Sequence, residues 1–301
     1  MSNAVTLLGT GKMGAALVDR WVEAGRPVVV WNRTPETAEA LVRDGVTAAS
    51  TVADAVAGSA VVVTMVTHGE ALRSVLVDGG GLAAMPPGST LVDLSTVDVA
   101  SSVAVGAVAA ELGVKYVRGA VSGTPPVVRS GASSLLLSGP AEALEAASAV
   151  LTDITPRHAV VGEGEQARVV KIAVNSMLGG TMQLLAEAAV LAEAAGVDRA
   201  VFLDALDATV LSSRFVTYKG AALRSRDYAP TFTTADLRKD LLLARTLADA
   251  NGVALPAGDA VLARTSAAVD AGYGADDFLS LLCLEQIASG RAADIVRGPS
   301  A

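Results

Sequence analysis

Residues 5–14 read Val-Thr-Leu-Leu-Gly-Thr-Gly-Lys-Met-Gly, a short apolar run that opens into glycines spaced G-x-G-x-x-G. The run reads as a buried parallel strand. Met13, Ala16, Leu17, Arg20, Trp21 and Ala24 then recur at helical spacing, with Arg20 the polar exception, and Gly25 closes the segment as a C-cap. Val28-Val29-Val30-Trp31 follows at once as a second strand. Three spaced glycines alone are a weak signal; strand, glycine loop, helix and strand within about 30 residues make a strong one. Each glycine has its own task. Gly9 allows the tight turn, Gly11 lets the backbone approach a pyrophosphate, and Gly14 lets helix and strand pack closely. The helix start, at Lys12 and Met13, offers unpaired N–H groups and a partial positive charge to an anion. A chain that opens this way is expected to build a parallel sheet that binds a dinucleotide.

The end of the second strand selects among dinucleotides. An Asp or Glu there accepts hydrogen bonds from the adenosine ribose hydroxyls. This chain carries Asn32, Arg33 and Thr34 instead. A carboxylate would repel a 2′-phosphate, whereas Arg33 would pair with one and Asn32 and Thr34 can donate to it. The reading is NADPH; the alternative is that Arg33 is an ordinary solvated surface arginine.

Strand and helix signals continue to alternate, with strands at 60–66, 90–94 and 114–117 and helices at 70–76 and 100–112. Ligands of open parallel sheets sit beyond the carboxyl ends of the strands, which points to Met65 and Val66 and to Ser95-Thr96. A Ser or Thr after a strand can equally cap the next helix. Residues 164–193 then form one apolar helix, roughly 45 Å long at about 1.5 Å per residue. That is too long for one lobe and reads as a spine joining two. Lys171 and Asn175 stand one turn apart on a single face of it. A lysine in such a setting either snorkels to solvent or is held in a cleft with a lowered pKa. Beyond about residue 194 the strand signals stop, and helices read over 200–211, 234–251, 256–271 and 276–289. The expected architecture is an α/β dinucleotide domain (1–162), a long interdomain helix (163–193) and an all-α domain (194–301). The tail from Arg291 to Ala301 reads as frayed.

Composition excludes several other classes. With 51% hydrophobic and 18% charged residues the chain has ample core material, and 301 residues suit two domains. A net charge of −8 and 3% aromatic residues argue against nucleic acid. A single cysteine, Cys283, excludes an intrachain disulfide framework, and two histidines far apart argue against zinc. No secretion signal or membrane span is read from the sequence, so the expected setting is the cytoplasm.

The glycine loop with Met13, the Val-Trp-Asn-Arg-Thr strand end and Val92-Asp93-Leu94-Ser95-Thr96 resemble the β-hydroxyacid dehydrogenases. Further on, Gly119-Ala120-Val121-Ser122-Gly123 is similar to that family's A-P-V-S-G substrate stretch. Gly164 through Lys171 to Asn175 is similar to its lysine–asparagine region, and Lys239-Asp240-Leu241 to its K-D-L segment. The motifs run in family order over most of the chain. The resemblance implies hydride transfer between NADP(H) and a small semialdehyde or oxo acid, or a 3-hydroxy acid in reverse. It implies Lys171 as general acid or base and Asn175 as its partner at the substrate oxygen. Ser122, Gly123, Thr124 and Asp240 would line the substrate site, with Lys239 near the nicotinamide end of the cofactor. Phe232, one of four Phe, precedes the Lys239 helix and either walls the pocket or packs in the core. The resemblance also implies a homodimer, or a tetramer, with exchanged helical domains.

Four departures bear on the substrate: Arg118 for Asp, Gly119-Ala120 for Ala-Pro, Thr124 for the second glycine, and Ser176 for a second Asn. Imine reductases share the resemblance but commonly replace the lysine, so Lys171 favours the hydroxyacid branch. A non-catalytic NADP sensor on the same fold is the other alternative.

Overall fold

Short β-branched runs alternate with Ala-rich helices through the first half of the chain, and the computed structural model, which describes residues 4–295, turns them into one sheet. Its strands are β1 (Val5–Leu8), β2 (Val28–Trp31), β3 (Val46–Ala48), β4 (Val61–Thr64), β5 (Thr90–Asp93), β6 (Lys115–Ser122), β7 (Ser134–Ser138) and β8 (His158–Gly162). Between them lie α1 (Lys12–Glu23), α2 (Pro35–Glu39), α3 (Val52–Val56), α4 (Gly69–Arg73), α5 (Gly81–Ala84), α6 (Val99–Glu111), α7 (Pro125–Arg129) and α8 (Ala141–Ile154). The strand order is β3-β2-β1-β4-β5-β6-β7-β8, parallel throughout except between β6 and β7. Because β1 lies between β2 and β4, the winding reverses there, and the crevice beyond the ends of β1 and β4 is where such a sheet takes a ligand.

Strand periodicity sorts the core into two layers. Leu7, Val63, Val92 and Val117 pack with Trp21 and Ile154 on one face. Their chain neighbours Leu8, Val62, Leu91 and Tyr116 pack with Leu72 and Leu76 on the other. Burial on both faces explains why these strands read as continuous apolar runs rather than as an alternation.

The chain divides into two compact units, Met1–Lys171 and Ile172–Ala301. One helix, α9 (Gln166–Ala194), runs from the first into the second. The second unit continues with α10 (Arg199–Asp207), α11 (Arg214–Ser225), α12 (Thr234–Ala250), α13 (Pro256–Ala268) and α14 (Leu281–Ala288). Its core gathers Met182, Leu185 and Ala189 of α9 around Leu237, Leu241, Phe278 and Leu282. An α/β dinucleotide-binding fold followed by a helical domain is therefore present.

The structure corrects several boundaries. β6 runs to Ser122 instead of stopping at 117, because Gly119 fits where a Cβ would meet Leu94 at 2.5 Å and Leu137 at 3.1 Å. The pairing of β6 with β7, whose strand signal the sequence reading missed, holds the extension. Helix α11 was also missed. Its apolar residues are interleaved with Arg214, Thr217, Lys219 and Arg224, and polar contacts help hold it: Lys219 to Asp277 (2.7 Å) and Arg224 to Asp204 (2.8 Å). The helix expected over 256–271 ends at Ala268 in a wide turn where Gly272 takes φ 91°. The tail is not frayed as far as Ile295, since Asp294 is bonded by Arg199, Tyr228 and Gln286; residues 296–301 lie outside the described part. Finally, α9 is long and apolar enough, by length and composition alone, to cross a membrane, a test that a core helix also passes. One side of it packs into the core of the second unit.

Candidate active site

The glycine loop separates the three glycines by cause. Gly9 takes φ 105°, and a Cβ there would lie 2.3 Å from the Met65 carbonyl oxygen. A Cβ on Gly14 would lie 2.1 Å from the Gly9 carbonyl oxygen, so strand and helix meet without room for a methyl group. Gly11 is different: it has an ordinary φ of −64°, and nothing lies within 4 Å of its Cβ position. Its open side lies at the start of α1, where backbone N–H groups await an anion. That cradle fits a dinucleotide pyrophosphate. Lys12 is exposed beside it, while Met13 is half-buried against the core.

At the end of β2, the Asn32 amide is committed within the loop. Its Oδ1 accepts from the Thr10 N–H (3.1 Å) and its Nδ2 donates to the Thr34 carbonyl (3.1 Å). Asn32 thus ties the glycine loop to the β2 turn. Arg33 and Thr34 are exposed, and Arg33 has no ion-pair partner among the described residues. Its guanidinium can take a phosphate.

The ends of β4 and β5 are stitched together. Asp93 Oδ1 accepts from Thr64 Oγ1 (2.7 Å) and from the Ser95 N–H (3.0 Å). Ser95 Oγ in turn accepts from the Val66 N–H (2.9 Å). Met65, Val66 and Thr96 are each half-buried at this edge.

At the end of β6, Lys171 Nζ donates to the Val121 carbonyl at 2.9 Å. This brings the lysine to the strand position immediately before Ser122 and Gly123, both exposed. Gly123 takes φ 146°, a conformation that favours glycine, and its Cβ position is closed by Val127 at 3.0 Å. Thr124 precedes the prolines that start α7, and its buried hydroxyl has no partner among the described residues.

The second unit has a polar cluster of its own. Asn175, on α9, donates to Asp240 Oδ2 on α12 at 2.5 Å, and Lys239 Nζ lies 2.8 Å from Asp240 Oδ1. Asp240 is only 2% exposed, so Lys239-Asp240 is not an exposed helix pair. Phe232 packs edge-on to Phe278 with centroids 5.5 Å apart, half-buried beside the core of this unit.

The sequence reading missed Arg168 and the role of Asp93. Arg168 is buried, with Nε to Ser102 Oγ (2.7 Å), Nη1 to the Ser95 carbonyl (2.7 Å) and Nη2 to Asp93 and to the Tyr116 hydroxyl (3.0 Å). Burial pushes the Tyr116 hydroxyl up to about 12, against the opposing charge of Arg168. For Arg168 itself burial works against the charge, but Asp93 and Tyr116 outweigh it and raise its pKa. A partial signal did exist: Asp93 is a charge inside the apolar run of β5, and a charge buried there needs an opposite one. Arg118, where the resemblance led to an Asp, pairs with Glu165 (2.8 Å) and stacks on Tyr116.

The fold and the glycine cradle define a nicotinamide-dinucleotide-binding oxidoreductase. Residues 4–162 match the NAD-binding domain of 6-phosphogluconate dehydrogenase, and residues 165–284 match the NAD-binding region of NADP-dependent 3-hydroxyisobutyrate dehydrogenase. The chain belongs to the β-hydroxyacid dehydrogenase family. It is 28% identical to glyoxylate/succinic semialdehyde reductase 1 of Arabidopsis thaliana, over 92% of this chain and 96% of that one. It is 29% identical to the human cytokine-like nuclear factor N-PAC over 82% of this chain, which spans only 45% of N-PAC. The 3-hydroxyisobutyrate dehydrogenase of Mycobacterium tuberculosis, solved with L-serine, superposes with a TM-score of 0.85 at 26% identity, covering 94% and 98% of the two chains. An imine reductase from Pseudomonas sp. shares the fold at a TM-score of 0.63 and 24% identity, covering 94% and 99%.

Proposed function

We propose that the protein is an NADPH-dependent reductase of a small semialdehyde or oxo acid, able to run in reverse on a 3-hydroxy acid. The observation that carries this reading is the bond from Lys171 Nζ to the Val121 carbonyl, which holds an ammonium group next to Ser122 and Gly123. When bound, the nicotinamide gives or takes the hydride. Lys171 delivers a proton to the oxygen that becomes the alcohol, and accepts it back in the oxidative direction. The Ser122 hydroxyl and the Gly123 N–H suit a substrate carboxylate. Asn175, whose amide donates to Asp240, would offer its remaining N–H to the substrate oxygen. Arg33 takes the 2′-phosphate that distinguishes NADPH from NADH. The similarity to the Arabidopsis glyoxylate/succinic semialdehyde reductase supports the semialdehyde class.

The reading extends to assembly. On α9, Val174, Met177, Leu184 and Leu191 are exposed at alternating three- and four-residue intervals, or seven where Thr181 and Ala188 intervene. An apolar seam of this kind, broken only by Thr181, suits a second copy of the chain, and we propose a homodimer.

The test is NADPH oxidation with glyoxylate, succinic semialdehyde, methylmalonate semialdehyde and a cyclic imine, for the wild type and for Lys171→Ala. Turnover of one of the carbonyl acids is expected, lowered about 10²-fold or more in the variant with NADPH affinity kept. Turnover of the imine alone, or full turnover without Lys171, overturns the assignment.

A further inference from the structure

We infer that Arg168 is a positioning residue, which sets the Lys171 turn of α9 against the two loops that receive the cofactor. The inference rests on the reductase reading above. A guanidinium taken from water is unfavourable unless its donors are matched, and Arg168 matches nearly all of its own. What it touches matters more than that it is satisfied. One arm holds the Ser95 carbonyl, and the Ser95 hydroxyl holds the Val66 N–H. The other arm holds Asp93, whose second oxygen holds Thr64 and the Ser95 N–H. The loops after β4 and β5 are thus fixed to each other and to one side chain of α9. That side chain lies three residues before Lys171, on neighbouring turns of the same helix. Lys171 meets the sheet again at Val121, on the next strand over. A shift of the Arg168 fork would move the lysine and the loops relative to each other, and misplacement near 1 Å is enough to slow a reaction of this kind about 10²-fold.

The pair differs from a generic buried ion pair in its geometry. A lysine would keep the charge opposite Asp93 but could not reach Ser95, Ser102 and Tyr116 with a planar fork. Arg168→Lys therefore separates charge from geometry. Ser95→Ala removes the link to Val66 without touching a charge. Ser102→Ala removes the acceptor of Arg168 Nε, and decides the matter alone if Arg168→Lys does not fold.

The experiment compares the three variants with the wild type by NADPH fluorescence titration, by kcat on the best carbonyl substrate, and by the pH profile of kcat. Arg168→Lys is expected to lower kcat about tenfold or more, and Ser102→Ala about threefold or more. Arg168→Lys should also alter the pH profile of kcat, which a merely structural role would leave in place. Ser95→Ala is expected to weaken NADPH about threefold, the scale of one hydrogen bond. Variants that lose heat stability yet keep kcat, profile and NADPH affinity within about twofold would make Arg168 merely structural and overturn the inference. A wild type that binds no NADPH overturns the reductase reading, and is seen before any variant is made.

Discussion

The Asn175 amide lies 2.5 Å from the Asp240 carboxylate, and both side chains are buried. A carboxylate out of water needs donors, and here Asn175 supplies one and Lys239 supplies the countercharge. Asn175→Ala removes the neutral donor and leaves Asp240 to Lys239. The expected result is a loss of about 1–3 kcal/mol in stability, together with a fall in kcat larger than any change in KM. Urea unfolding and steady-state kinetics on one preparation check both parts. A fully active variant would remove Asn175 from the site.

Arg33 stands exposed where an acidic residue would read the ribose. NADPH should bind at least about tenfold tighter than NADH, equal to about 1.4 kcal/mol and modest for one charge-assisted pair. Arg33→Asp should invert the preference. Fluorescence titration of both reduced cofactors is the measurement, and equal affinities in the wild type would end the assignment.

The glycine loop offers a paired test. A methyl group on Gly14 meets the Gly9 carbonyl at 2.1 Å, whereas one on Gly11 meets nothing within 4 Å. Gly14→Ala should lower the melting temperature by several degrees, as an overpacked core does. Gly11→Ala should melt like the wild type and bind NADPH about tenfold or more weakly, because the methyl group fills the space a pyrophosphate needs. Normal cofactor affinity in Gly11→Ala would show that this open side is not where the phosphates lie.

Asp294 sets a pH dependence. Burial alone would push its carboxyl up, but hydrogen bonds from Arg199, Tyr228 and Gln286 and the Arg199 charge outweigh that and hold it at about 2, against an ordinary 3.8. A carboxyl depressed in the folded state contributes stability above its unfolded pKa and loses it as pH falls toward the folded value. The stability from this contact should therefore be complete above about pH 5 and drain away from about pH 4 to pH 2. Asp294→Asn should be less stable near neutrality and show a flatter profile across that window. Urea midpoints at several pH values read it directly, and parallel profiles would rule it out.

The exposed seam on α9 predicts a dimer. Leu184 lies at its middle and is 67% exposed. Leu184→Glu should leave the fold intact, as judged by circular dichroism, and shift the sedimenting mass toward one chain. A wild type that sediments as a fully active single chain of 30.2 kDa would exclude the dimer.

The sequence determined by itself whatever depends on local order. Glycines 9 and 11 between Val5–Leu8 and Lys12–Glu23, with Gly14 in the first turn of that helix, specify a strand, a turn and a helix start through backbone sterics alone, and the run of β-branched residues specifies a sheet buried on both faces. It also placed Lys171 and Asn175 on one helix face, since helical spacing is a local property. Tertiary structure decided whatever depends on partners far apart in sequence. Nothing local shows that Gly119 continues a strand; of the residues that crowd it, Leu94 follows β5 and Leu137 lies on β7. Nothing local joins Arg168 to Asp93, 75 residues away, or Asn175 to Asp240, 65 residues away. A buried charge or amide announces in sequence only that it needs a partner. Which residue answers is settled by the packing of the sheet and of the helices, where the cost of leaving a polar group dry and unmatched selects one arrangement.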